Sequence, residues 1–212
     1  MEASYWQQRW EINQIGFHGD AVNPLLVQHL DALGLAPGAR VFLPLCGKTL
    51  DIAWLLSQGF RVVGAELSAI AVRQLFSDLG VVPVVTNVDK IDHYSANNID
   101  IYVGDIFHLT SQLLGSVDAV YDRAALVALP AEMRERYTTQ LMAVTHAAPQ
   151  LLICYEYEQS LMEGPPFSVS DEEAKRHYQA HYAMTLLASA DLPKGMKGKC
   201  AAIEKVWLLQ HS

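Results

Sequence analysis

From residue 40 onward, short apolar runs of strand length alternate with longer segments of helical periodicity, and this alternation constrains the fold more than any other feature. Residues 41–45 read as a strand, and residues 50–58 as a helix stopped by Gly59. A second strand follows at 62–67. Ser68 then serves as the N-cap of a helix carrying Ile70, Val72, Leu75, Phe76 and Leu79, which ends at Gly80. Three more cycles place strands near 99–103, 117–121 and 151–156, with Pro130 opening a helix to about residue 146. Ser170 and Glu173 form a capping-box pattern for a helix through about residue 181, and residues 185–190 and 202–209 read as a final strand pair.

Strands joined by helices predict a mostly parallel, twisted sheet with helices on both faces, that is, a Rossmann-like α/β fold. Residues 1–35 stand in front of it as an amino-terminal helical extension, and residues 36–212 form its core. The 212 residues contain no internal repeat and no Pro/Gly/Ser-rich linker, so the chain reads as one domain. In such a sheet ligands bind outside the carboxyl ends of the strands, which makes the loops after the strands the segments to search.

Composition excludes several classes of partner. Lys and Arg number 15 against 23 Asp and Glu, a net charge of −8, whereas a nucleic-acid binder carries a basic surplus. No apolar run approaches the length that crosses a bilayer, and residues 1–10 hold no apolar signal-peptide core. Cys46, Cys154 and Cys200 are too few and too widely spaced for a disulfide framework or a zinc motif. These features predict a cytoplasmic protein, without nucleic acid or membrane as partner.

The segment from Leu43 to Thr49 leaves the first strand for the first helix, where a doubly wound fold receives a nucleotide-like ligand. Gly47-Lys48-Thr49 matches the tail of a P-loop, but Phe42 occupies the position of that motif's first glycine. With Gly47 as the only glycine of the turn, GxGxxG fails too, and a pyrophosphate has no cradle. Glu66 lies 66 − 47 = 19 residues after Gly47, the spacing at which a carboxylate accepts hydrogen bonds from both ribose hydroxyls. A nucleoside without a pyrophosphate, such as S-adenosyl-L-methionine, fits this pair; the alternative for Glu66 is a solvated acid ending a strand. Gly104-Asp105-Ile106 follows another strand and either flanks an adenine or forms an Asx-capped turn.

Several separate stretches carry a family resemblance: Trp6 to Trp10 with Gly16-Phe17-His18, residues 40–48, 62–68 and 121–128, Gly164-Pro165-Pro166-Phe167, and Glu204-Lys205. Over nearly the whole chain they resemble the bacterial thiopurine S-methyltransferases. The resemblance implies a class I methyltransferase fold, with S-adenosyl-L-methionine as cofactor and S-adenosyl-L-homocysteine as product. The implied reaction is methyl transfer to the sulfur of thiopurines and other aromatic or heterocyclic thiols. Selenium or tellurium compounds are alternative acceptors, and a non-catalytic cofactor sensor is the alternative of a different class.

By the same resemblance Trp10, Leu45, Glu66 and Arg123 match cofactor-binding positions, joined by Trp6, Gly47, Asp105 and Ile106. Phe17 matches the position shared with substrate, and Arg123 also serves substrate and catalysis. A monomer with a small-molecule thiol or chalcogen substrate is expected. The chain departs from the family near its carboxyl terminus, where a substrate-side arginine is often found. Residues 192–199 offer only Lys194, Lys197 and Lys199, and no lysine reproduces the planar fork of a guanidinium.

Chemistry read from the residues agrees. Methyl transfer to sulfur needs a thiolate, and an aromatic, water-poor site favours the meeting of thiolate and sulfonium. Trp6 and Trp10, four apart, share one helix face and either close over such a site or only pack the helix on the sheet. Arg123, after a strand, would favour and orient a thiolate; its bland alternative is a salt bridge to Asp122. His177 and His181 lie four apart as a metal pair, but Tyr178 stands where HExxH has its glutamate and no third ligand is evident, so no metal is expected. Cys46 at a helix N-terminus is a candidate reactive thiol, though a small packing residue is the preferred reading.

Overall fold

The computed structural model describes residues 3–211. Met1, Glu2 and Ser212, which the expected ranges included, lie outside the described residues. The helices are α1 (Ala3–Glu11), α2 (Pro24–His29), α3 (Leu50–Ser57), α4 (Ala69–Asp78), α5 (Ser111–Leu114), α6 (Ala131–Thr145) and α7 (Asp171–Tyr178). The strands are β1 (Arg40–Pro44), β2 (Arg61–Glu66), β3 (Val84–Val88), β4 (Ile91–Ala96), β5 (Ile99–Val103), β6 (Ala119–Arg123), β7 (Gln150–Tyr157), β8 (Ala183–Asp191) and β9 (Ala202–Gln210). They form one sheet in the order β3-β4-β5-β2-β1-β6-β7-β9-β8.

The strands β5, β2, β1, β6 and β7 are parallel, as the alternation predicts, while β4 and β3 at one end and β9 and β8 at the other pair antiparallel. The hairpin β3–β4 escaped the sequence reading. Its two-residue link, Asp89-Lys90, lacks the Asn-Gly or Asp-Gly signature, and Asp89 itself takes the left-handed conformation at φ 55°. All five residues of β3 are exposed, so no buried alternation marked it. Among the described residues no helix is long and apolar enough to cross a membrane.

Central strands are buried on both faces and therefore read as continuous apolar runs. Phe42, Val63, Val120 and Leu152 face one core with Tyr137 and Leu141 of α6 and Tyr178 of α7. Val41, Leu43, Val62 and Ile153 face the other, with Leu26 of α2, Ile52 and Leu55 of α3 and Phe76 of α4. Helices therefore cover both faces.

The caps formed largely as expected. Ser68 Oγ accepts from Ala71 N at 3.3 Å, and Thr49 and Ser170 cap α3 and α7. The capping box at α7 is half made: Ser170 Oγ accepts from Glu173 N at 3.2 Å, but the Glu173 carboxylate pairs with Arg134 at 2.9 Å instead of reaching back. Helix α7 ends at Tyr178, three residues short of the expected end, and leaves His181 beyond it. Strand β6 starts at Ala119 rather than 117, because the Asp118 carboxylate turns to accept from Arg40 N at 2.7 Å.

Candidate active site

The topological switch falls between β1 and β6, whose chains leave in opposite directions across the sheet. Each ends in a residue other than glycine with left-handed backbone, Leu45 at φ 49° after β1 and Ala124 at φ 61° after β6. Such residues store strain and cluster at functional sites. Between these strand ends opens a cavity of about 830 Å³.

One wall is built on the backbone. After Leu45, Cys46 N donates to Ala65 O at 3.0 Å, tying the turn to β2. Gly47 follows at φ 54°, and its N donates to Glu66 Oε2 at 2.7 Å. The other Glu66 oxygen, Oε1, accepts from Ser68 N at 2.7 Å, so the carboxylate staples the β1 turn to the start of α4. Burial pushes the Glu66 pKa up, and the N–H groups of Ser68, Gly47 and Leu67 oppose the shift. A Cβ on Gly47 would stand 3.3 Å from Trp10 Cζ2, so Gly47 is also the residue that admits the indole.

Trp10 is 4% exposed and lines the cavity with Trp6, Phe17, Asp105 and Ile106. Phe17 meets Trp6 and Trp10 edge-on, with centroids 5.4 and 5.6 Å away. Packing and site-lining thus coincide at Trp10. Asp105 Oδ1 accepts from Phe107 N at 3.0 Å, the Asx cap of the bland reading, yet the same turn borders the cavity. All of Trp6, Trp10, Phe17, Leu45, Gly47, Glu66, Asp105, Ile106 and Arg123 come together around this one space.

The opposite wall is built from side chains. Arg123 ends β6, and its Nε is buried with no hydrogen-bond partner. The salt bridge to Asp122 is not formed. Asp122 points to the other side of the strand, accepting from Leu126 N at 3.1 Å and Tyr137 Oη at 2.7 Å. With no cation at hand, burial pushes the Asp122 carboxyl up to about 6. Those bonds fix the loop that carries Ala124 and positions the Arg123 side chain.

Residues that the sequence did not single out complete this wall. Tyr155, at the carboxyl end of β7, is pushed up to about 12 by burial and the Glu204 charge. Lys197 also reaches the cavity, with Nζ donating to Pro165 O at 2.6 Å. Burial and the nearby Arg9 charge lower its pKa. Among the lysines of residues 192–199 it alone lines the space. The rule that ligands gather at strand ends could have flagged Tyr155; nothing local distinguishes Lys197 from Lys194 or Lys199.

For two weaker candidates the structure favours the bland reading that the sequence already preferred. Cys46 is buried, and burial together with the Glu66 charge raises its thiol pKa well above the ordinary value, so the helix end yields no reactive thiolate. His177 pairs with Glu173 at 3.4 Å while His181 lies past the helix end, so they share no helical face. Among the described residues no group of three or more His, Cys, Asp or Glu could hold a metal ion.

A family model described as Thiopurine S-methyltransferase (TPMT) matches residues 1–212. The chain is 56% identical over 213 residues to a thiopurine S-methyltransferase of Xanthobacter autotrophicus, covering 100% of both chains. It is 49% identical to that of Teredinibacter turnerae, over 100% of this chain and 99% of that one. Among solved structures it resembles Burkholderia thailandensis 1,6-didemethyltoxoflavin-N1-methyltransferase, which contains bound S-adenosylhomocysteine. The TM-score is 0.66 at 15% identity, covering 98% of this chain and 87% of that one. An Anabaena variabilis SAM-dependent methyltransferase also scores 0.66, at 18% identity over 99% and 95% of the two chains. The fold is that of the class I S-adenosylmethionine-dependent methyltransferases.

Proposed function

Since the chain belongs to the thiopurine S-methyltransferase family, we propose that its cavity divides into a cofactor half around Glu66 and an acceptor half around Arg123. The protein is an S-adenosylmethionine-dependent S-methyltransferase acting on thiopurines. When bound, S-adenosyl-L-methionine supplies an electrophilic methyl on a sulfonium and leaves as S-adenosyl-L-homocysteine.

The residues present fit that cofactor. An ionised carboxylate has about four lone-pair positions, and the N–H groups of Gly47 and Ser68 use two of Glu66's, leaving the rest for ribose hydroxyls. Asp105 and Ile106 would border the adenine, Leu45 and Gly47 would shape the turn beneath it, and Trp6 and Trp10, which line the same cavity, would supply aromatic surface for a sulfonium. Among the described residues of the amino-terminal extension, α1 acts as a cover over the core, with Trp10 seated on Gly47.

Across the cavity the buried Arg123 Nε, which has no hydrogen-bond partner among the described residues, supports the reading most directly. A fixed cation with a free buried donor holds an acceptor sulfur as the thiolate and orients it. Phe17 and the indoles exclude water there, so hydration no longer keeps opposite charges apart. A thiol that arrives ionised needs no base. The protein works in the cytoplasm, a reading supported by its free cysteines, which suit a reducing compartment.

Methyl-labelled S-adenosyl-L-methionine incubated with the protein and a panel of thiopurines, thiophenols, selenium and tellurium compounds tests this reading. Label on the sulfur of the thiols is expected. Preferential label on selenium or tellurium would reassign the natural acceptor. Cofactor binding by calorimetry without transfer to any acceptor would point to a sensor instead.

A further inference from the structure

The acceptor half holds more than an orienting charge. Arg123, Tyr155 and Glu204 lie on β6, β7 and β9, three adjacent strands, toward one end of the sheet. Arg123 pairs with Ile153 in the β6–β7 register, two residues before Tyr155, and Tyr155 stands directly opposite Glu204 in the β7–β9 register. Directly opposed residues project to the same side of a sheet. Tyr155 lines the cavity, and Glu204 stands behind it with no cation at ion-pair distance among the described residues.

We propose that Tyr155 and Glu204 form a proton exit for acceptors that enter as neutral thiols, with Tyr155 touching the thiol and Glu204 holding the proton. This rests on the S-methyltransferase reading and extends the range of thiols the site accepts. The S–H bond breaks and its electron pair stays on sulfur. That proton moves to Tyr155 Oη as the Tyr155 hydroxyl proton moves to the Glu204 carboxylate. Glu204 later releases the proton to water, and the sulfur's electron pair forms the bond to the transferred methyl. Nothing is oxidised or reduced, and one proton leaves per methyl moved.

Other acids of the cavity are already committed. Glu66 is held by two N–H groups, Asp105 caps Phe107, and Asp51 accepts from Asn23 N at 2.8 Å and Tyr121 Oη at 3.1 Å. Glu204 faces Tyr155 and the Arg123 charge, and half-burial favours its neutral, proton-bearing form while leaving a path to solvent. Its partner Tyr155 is held protonated by burial and by that same carboxylate, which makes it a relay rather than a phenolate base.

Graded thiophenols, from nitro-substituted to methoxy-substituted, test the exit at a pH where the nitro compound is ionised and the methoxy compound is protonated. Without a base only the pre-ionised fraction reacts, so the kcat/KM deficit of Glu204→Gln should grow about tenfold for each pKa unit of the acceptor above the working pH. For the nitro compound, which arrives ionised, the deficit should be smallest. Tyr155→Phe should show the same slope and guards against a Glu204 variant that fails to fold. A deficit of equal size for all thiols would mean a structural role and overturn the proposal. So would unchanged rates in both variants; loss in His18→Gln alone would then move the base to that cavity histidine. Failure of the wild-type protein to methylate even the ionised nitro compound, with S-adenosyl-L-homocysteine still bound, would instead refute the underlying reading.

Discussion

The two halves of the cavity solve opposite problems. Around Glu66 the backbone does the holding: two N–H groups fix the carboxylate, and a Cβ on Gly47 would stand 3.3 Å from Trp10. Around Arg123 a buried donor is left over: its Nε has no hydrogen-bond partner among the described residues, and the adjacent Asp122 is turned away from it. A wall made of backbone recognises one constant ligand. A wall of free side-chain donors keeps its bonding capacity for acceptors whose shape varies, and it carries the electrostatic cost of waiting for them.

If the halves are as separate as this, their variants should fail differently. The largest effect is expected for Arg123→Ala, which removes the charge that holds a thiolate and should lower kcat by about 10²–10³-fold with cofactor affinity changed much less. Steady-state kinetics beside calorimetry of S-adenosyl-L-homocysteine separates the two quantities. An equal loss in both would merge the halves. Next is the support behind Arg123. The Asp122 carboxyl moves from 3.8 to about 6 on folding, which at about 1.4 kcal/mol per pH unit is roughly 3 kcal/mol. Because the folded acid binds its proton more tightly, this contribution is present below pH 3.8 and is lost as pH rises to about 6. Urea midpoints at pH 4 and 7 should therefore fall less in Asp122→Asn than in the wild type; parallel behaviour would remove Asp122 from the account. Glu66→Gln comes third, since one amide oxygen replaces two acceptors. It should weaken cofactor binding by about 1.5–3 kcal/mol with kcat at saturation little changed.

How legible each half was follows from the same contrast. The glycine turn, the acid 19 residues on and the capped helices are local patterns, so the cofactor wall was readable as spacing before any coordinates. Arg123 was readable because it ends a strand. Tyr155 and Glu204 meet only through the pairing of β7 with β9, 204 − 155 = 49 residues apart, and Lys197 reaches the cavity from the irregular loop between β8 and β9, where it bonds Pro165, 32 residues away. The antiparallel edges escaped for a related reason. The hairpin β3–β4 buries almost nothing on its outer strand, and periodicity marks a strand only where one face is hidden.

The smallest expected effect concerns the one lysine of residues 192–199 that reaches the cavity. Lys197 is the only lysine of residues 192–199 at the cavity, and it is held in place by Pro165 O at 2.6 Å. Part of its hydrogen-bonding capacity is therefore spent on the protein, and an ammonium offers a point charge rather than the paired donors of a guanidinium. Burial and the neighbouring Arg9 and Lys199 charges lower its pKa. Lys197→Ala should accordingly raise the KM for an acidic thiol by only a few-fold, about 0.5–1 kcal/mol, and leave kcat alone. Lys197→Arg should lower KM for a carboxylate-bearing aromatic thiol, whose planar anion matches the fork, while barely changing it for an uncharged one. A large kcat loss in Lys197→Ala would instead make this lysine part of the thiolate-holding charge, and the acceptor half would then rest on two cations rather than on Arg123.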